Sequence, residues 1–97
     1  MSDVYSHGEW KVKEGEEDDF VAAWTEFAKW FTDMDGAGKA HLSRSLEDPQ
    51  SYMSFANWKS ADAMHAWKES PEFREKMGAI RQHAELTPTE WEQVTEV

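Results

Sequence analysis

The chain of 97 residues has no cysteine. This excludes disulfides, thiolate metal sites and cysteine nucleophiles. It is short of bases: 10 Lys and Arg stand against 20 Asp and Glu, for a net charge of −10. Nucleic acid and anionic membranes are held by clustered Lys and Arg, so neither is expected as a partner. No apolar run is long enough to span a bilayer. The opening MSDVYSHGEW has no basic region followed by an apolar stretch. No signal peptide is read there, and a cytoplasmic location is expected. There is no glycine-rich phosphate loop. The four histidines, His7, His41, His65 and His83, form no i, i+4 pair and no His-Glu-x-x-His pattern. Neither a metal site nor a cofactor is expected. The acids gather at one helix start and along polar faces, as on a solvated surface, rather than as an acid–base pair.

Aromatic residues, by contrast, are plentiful: six Trp, five Phe and two Tyr. Tryptophans are enriched in cores, pockets and interfaces. Six are many for one small core, so some aromatic surface is expected to line a cavity or a subunit contact. A tryptophan-rich core with one or two partly exposed rings is the plainer alternative. The length suits a single domain over residues 1–97. No linker, repeat or low-complexity segment divides it.

Periodicity orders the elements. In residues 4–13, Val4, Ser6, Gly8, Trp10 and Val12 alternate with Tyr5, His7, Glu9, Lys11 and Lys13, the period of a strand. Acids 16–19 then suit a helix start, where carboxylates face exposed backbone N–H groups. Phe20, Trp24, Phe27, Phe31 and Met34 form one apolar stripe on a helix of about five turns. Trp30 lies at the edge of the stripe, and Gly36 is placed to stop the helix. Residues 39–46 and 52–58 alternate again and flank Asp48-Pro49, which reads as a hairpin. In the second of these strands Tyr52, Ser54, Ala56 and Trp58 share a face.

Ser60 is placed to cap a helix carrying Met64 and Trp67. Ser70-Pro71 is a second start signal, followed by Phe73, Met77, Ile80 and Ala84 at helical spacing. Residues 60–84 are thus expected to form two helical pieces. Residues 90–97, after Pro88, are expected to form the last strand. The order β-α-β-β-α-β predicts an α+β, ferredoxin-like fold, a four-stranded antiparallel sheet with its helices on one side. The other sheet face, bearing Tyr5, Met53 or Phe55, would be bare. Two such faces packing together predict a homodimer.

In that fold the first and third strands are central neighbours. If Trp10 and Trp58 look toward the helices, Ser6, Gly8, Ser54 and Ala56 do too. Small residues there leave room beneath the helices, and Trp24, Phe27, Trp67 and Phe73 would wall it. Such a cavity suits a small flat aromatic ligand. The alternative is that tryptophan rings swing in and fill the gap. Trp67 is the better pocket candidate and Trp58 the more core-like.

The segments EWKVKEG (9–15), LEDP (46–49) and above all NWKSADAMHAWKESPEF (57–73) resemble the antibiotic biosynthesis monooxygenase family. Its members typically show a strand-ending Trp-x-Ser, a short helix with a Trp, and a Ser-Pro-Glu-like helix start. The resemblance covers nearly the whole chain and implies a dimeric α+β barrel. In the haem-degrading branch, Trp67 matches a pocket Trp. Met77 stands where that branch has its iron-ligating His, and Gly8 where it has an Asn. In the antibiotic-tailoring branch, Trp58 matches a strand-ending Trp, while Ser54 replaces an Asn and Met64 a Tyr. The resemblance implies a cofactor-independent monooxygenase-like protein acting on a small aromatic or quinol-type substrate. A non-catalytic binding or structural dimer and a divergent haem binder stay open. The substrate-binding residues expected are Trp67, Trp58, Trp10, Ser54, Gly8, Trp24, Phe27 and Phe73. Should a metal be bound after all, His7 and His41 are the first pair to suspect.

Overall fold

A computed structural model describes residues 3–97. Its elements are β1 (Val4–Val12), α1 (Glu17–Phe31), β2 (Ala37–Arg44), β3 (Ser51–Trp58), α2 (Ala61–Glu69), α3 (Pro71–Arg81) and β4 (Ala84–Glu92). The strands form one sheet in the order β2-β3-β1-β4. Every neighbouring pair is antiparallel. This is the expected ferredoxin-like α+β fold, with the second crossover helix split in two.

The alternation in β1 and β3 decides which side the helices cover. Ser6, Gly8, Trp10 and Val12 of β1 are buried, as are Tyr52, Ser54, Ala56 and Trp58 of β3. The register sets Gly8 opposite Ser54 and Ser6 opposite Ala56. On the helix side, α1 buries Phe20, Trp24, Phe27 and Phe31, α2 buries Met64 and Trp67, and α3 buries Met77 and Ile80.

Local chemistry sets the breaks between α2 and α3. The Ser60 hydroxyl accepts from Ala63 N–H at 3.1 Å and starts α2. Ser70 has extended backbone and ends α2. Its hydroxyl accepts from Phe73 N–H at 3.2 Å, with Pro71 opening α3. Pro needs no backbone donor at a helix start, so it fits there.

The expected bounds of four elements need correction. Helix α1 ends at Phe31 after 15 residues, not at Met34. Two turn bonds, Met34 N–H to the Phe31 carbonyl and Ala37 N–H to the Met34 carbonyl, replace the helical pattern. Gly36, at φ +88°, then lets the chain enter β2 at Ala37 rather than residue 39. Met34 still packs against the core from the turn. At its other end β2 stops at Arg44, and Leu46 is fully exposed in the hairpin loop.

The last strand is displaced most. It runs Ala84–Glu92 and contains Pro88, whereas residues 90–97 were expected. Pro88 is tolerated because β4 is an edge strand, where one N–H faces no partner. Helix α3 accordingly ends at Arg81, and Ala84 belongs to the sheet, paired with Val12. Ala84 is buried, so its apolar character is compatible with both readings; only the β1 pairing distinguishes them.

Candidate functional site

The small side chains at the middle of β1 and β3 leave a cavity of about 50 Å³ between the sheet and the helices. Gly8 and Ser54 form part of its floor, and Trp10 flanks them. Trp24 and Phe27 of α1, Trp67 of α2 and Phe73 of α3 form walls. Seven of the eight expected residues therefore border one space. Trp58 does not border it. Its ring lies behind Trp67, stacked at 4.8 Å between centroids and 30° between planes, and it is almost wholly buried.

Trp67 is the hub of the aromatic cluster. Besides Trp58, its ring meets Phe31 at 4.7 Å, Phe73 edge-on at 4.9 Å and Phe27 at 5.8 Å. Edge-to-face and offset arrangements of this kind each add about 0.5–1.5 kcal/mol beyond area burial. Trp67 is only 4 % exposed. The structure thus makes it a core residue as well as a cavity wall.

The three indole N–H groups near the sheet differ in their partners. Trp10 Nε1 donates to Ser54 Oγ at 2.9 Å. Trp58 Nε1 donates to Ser6 Oγ at 3.3 Å. Trp67 Nε1 is, among the described residues, the one buried side-chain polar atom without a hydrogen-bond partner. An orphaned buried donor costs about 1–3 kcal/mol, which makes it a feature in need of a reason.

Gly8 is required by close packing. A Cβ there would lie 2.8 Å from Leu86 Cδ1, 3.2 Å from Ser54 Oγ and 3.2 Å from Trp10 Nε1. Any larger side chain would enter the space over the Trp10–Ser54 hydrogen bond. Met77 also borders the cavity, whereas Met64 is buried elsewhere in the core.

The lining residues that keep some exposure are Lys68, Phe73, Leu86 and Pro88, together with His7 and Phe55, which border the space from the sheet while the strand alternation turns their side chains to its other face. The first four place the mouth between α2–α3 and the edge strand β4. Across it stands an ion cluster: Lys68 Nζ donates to Glu90 Oε2 at 2.9 Å, and His65 Nε2 lies 2.9 Å from Glu90 Oε1. Hydrogen bonds from His65 and then Lys68 hold the Glu90 carboxyl below its ordinary value. Lys68, Leu86 and Pro88 were missed from the sequence. Leu86 and Pro88 gave no signal because β4 was expected further along the chain, and Lys68 gave none because a lysine on α2 reads as part of a solvated face.

A cavity of about 50 Å³ exceeds the roughly 10–15 Å³ that one water requires. It falls short of the roughly 150 Å³ that accepts a benzene ring. A ring can enter only if a wall moves, and half-buried Phe73 at the mouth is the most exposed of the four aromatic walls.

Among the described residues, no three or more His, Asp and Glu stand close enough to hold a metal ion. His7 and His41 lie on the other face of the sheet. His7 Nδ1 is 3.2 Å from Thr89 Oγ1, and the His41 ring packs 5.0 Å from Phe55.

The sequence profile of the family described as "Antibiotic biosynthesis monooxygenase" matches residues 3–78. The chain belongs to the antibiotic biosynthesis monooxygenase family. Solved structures similar to it include SnoaB from Streptomyces nogalater, described as a cofactor-independent oxygenase. It is 20 % identical at a TM-score of 0.89, over 100 % of this chain and 97 % of that one. A candidate antibiotic biosynthesis monooxygenase from Deinococcus radiodurans is 20 % identical at a TM-score of 0.85, over 97 % and 95 %. A conserved protein from Methanosarcina mazei Go1 is 15 % identical at a TM-score of 0.84, over 94 % and 92 %. At these identities the likeness is one of fold. No functionally curated protein sequence matches the chain.

Proposed function

We propose that this member of the family is a cofactor-independent oxygenase that acts on a small aromatic or quinol-type substrate and works as a homodimer. The observation that carries this reading is the aromatic cavity itself. It is walled by Trp24, Phe27, Trp67 and Phe73 and floored by Gly8 and Ser54. Flat rings suit such walls, and the few hydroxyls orient rather than solvate. An electron-rich phenolate can pass an electron to O₂ without a cofactor. Recombination gives a hydroperoxide, and loss of water from it leaves a new carbonyl, so one oxygen atom enters product and the other water. The protein's part is to hold the ring, exclude water and stabilise the oxyanion.

The homodimer is supported by the uncovered sheet face. Trp91 is 58 % exposed there, and Tyr5 packs edge-on against Phe55 at 6.3 Å. An apolar patch of this kind usually marks an interface, and a self-complementary two-fold contact would cover it.

One observation favours a second reading, a non-catalytic binding dimer. Among the described residues no carboxylate borders the cavity, so no carboxylate base stands beside a bound phenol. Oxygen uptake on a panel of small hydroquinones, with and without a chelator, separates the two. Chelator-insensitive uptake with saturation kinetics is expected. Binding without uptake across the panel would leave the non-catalytic reading in its place, and a visible absorption band in purified protein would point to the haem binder.

A further inference from the structure

The polar groups around the cavity are unbalanced. Ser54 Oγ and Ser6 Oγ each already accept an indole N–H, which leaves each hydroxyl proton free to donate. Trp67 Nε1–H is buried with no acceptor. Lys68 is, among the described residues, the one fully charged side chain on the lining. The side-chain groups available to a guest are therefore two hydroxyls that can donate, one indole N–H that can only donate, and one cation, with no carboxylate among them, in a protein whose net charge is −10. Such a lining offers a guest's N–H or O–H groups few acceptors. It favours a guest that brings an acceptor oxygen, and a negatively charged oxygen most of all.

The mouth shows how the cation can be made available. Glu90 is shared by two partners on α2, Lys68 on one carboxylate oxygen and His65 on the other. If Lys68 turns to a guest, Glu90 keeps His65. Glu90 then keeps one of its two hydrogen bonds, which lowers the penalty for parting a partly buried ion pair.

We propose that the cavity recognises its aromatic guest as an anion, with the oxygen accepting from Trp67 Nε1–H and Lys68, released from Glu90, supplying the countercharge. The inference rests on the reading of the cavity as an aromatic pocket and names the chemical form that pocket selects. A phenolate and an aromatic carboxylate share this chemistry. A hydrogen bond to a charged oxygen is stronger than one to a neutral oxygen. The buried donor near the ring and the cation at the mouth thus act on the same feature of the guest.

The test uses three small probes and the whole chain. Benzoate and 4-nitrophenol carry the two kinds of anionic oxygen; benzamide is the neutral counterpart of benzoate. Binding is followed by calorimetry, and the absorption of 4-nitrophenol reports its ionisation. Benzoate should bind at least about tenfold tighter than benzamide, and bound 4-nitrophenol should ionise at lower pH than free. Lys68→Met should abolish the preference for benzoate while benzamide binding stays within about twofold. Trp67→Phe, which keeps a ring, should weaken the anions by about ten- to a hundredfold. Tighter binding of 4-nitrophenolate than of benzoate identifies the phenolate as the preferred form, and the reverse identifies the carboxylate. Equal binding of benzamide and benzoate, with no change in 4-nitrophenol ionisation, would overturn the anion inference and leave the aromatic pocket standing. Failure of all three probes to bind would overturn the pocket reading, and the inference with it.

Discussion

Replacing Trp10, Trp58 and Trp67 by phenylalanine, one at a time, puts the same question to three indoles in one core. Each change removes a similar set of buried atoms and leaves a small void, at a cost of about 1–2 kcal/mol. The N–H groups then separate the variants. Trp10→Phe and Trp58→Phe also remove donors bonded to Ser54 and Ser6 at 2.9 and 3.3 Å. A lost hydrogen bond of this kind adds about 0.5–1.5 kcal/mol. These variants should lose about 2–3 kcal/mol in all, or roughly 10–20 °C in Tm for a domain of this size. Trp10→Phe should be the worse, because its bond is shorter. Trp67→Phe instead removes a donor with no partner. Relief of that orphan returns about 1–3 kcal/mol, so the net change should run from about 1 kcal/mol lost to about 2 kcal/mol gained. Urea unfolding followed by far-UV circular dichroism measures all three without using the tryptophans as reporters. If Trp67→Phe loses as much as the other two, its N–H has an acceptor in solution and the orphan argument fails. Trp67→Ala is a poorer probe. It removes a side chain packed against four rings and should cost about 3–5 kcal/mol, a large share of the total stability of a small domain.

Gly8→Ala should cost about 1–3 kcal/mol by overpacking and should weaken aromatic ligands, because its Cβ would press on Leu86 and on the Trp10–Ser54 bond; unchanged stability together with unchanged binding would show that the floor yields freely. Phe55→Asp, on the uncovered sheet face, should convert a dimer to a monomer in light scattering at micromolar concentration, and a wild-type chain that is already monomeric there would remove the homodimer. The Glu90 carboxyl is held low by His65 and Lys68. A depressed folded value means its contribution is present above the ordinary carboxylate range and is lost as pH falls through the folded value. Because Glu90 is 41 % exposed, that contribution should stay below about 1 kcal/mol. The stability gap between wild type and Glu90→Gln should therefore be small at neutral pH and close in acid; a gap that widens in acid contradicts the sign.

Much of the fold was legible in the local pattern. The two-residue period of residues 4–13 and 52–58 assigned Gly8, Trp10, Ser54 and Trp58 to one face, because successive strand residues point to opposite sides whatever lies above them. Ser60 and Ser70-Pro71 marked the two helix starts, because a cap is a bond between residues only three apart. The apolar stripe of α1 predicted the buried Phe20, Trp24, Phe27 and Phe31 for the same reason of fixed period.

Long-range pairing was not legible in this way. Pro88 reads as a breaker in isolation; it becomes a strand residue only because β4 lies at the sheet edge beside β1. That displacement brought Leu86 and Pro88 to the mouth of the cavity and set Glu90 opposite His65 and Lys68, contacts separated by 25 and 22 residues. The partners of the indoles also depended on tertiary structure. Trp10 and Ser54 are 44 residues apart, and Trp58 and Ser6 are 52 apart. Composition shows six tryptophans, and periodicity shows which way several of them point. Which indole N–H finds a hydroxyl and which is left buried without one depends on how the helices set down on the sheet, and that packing alone singled out Trp67.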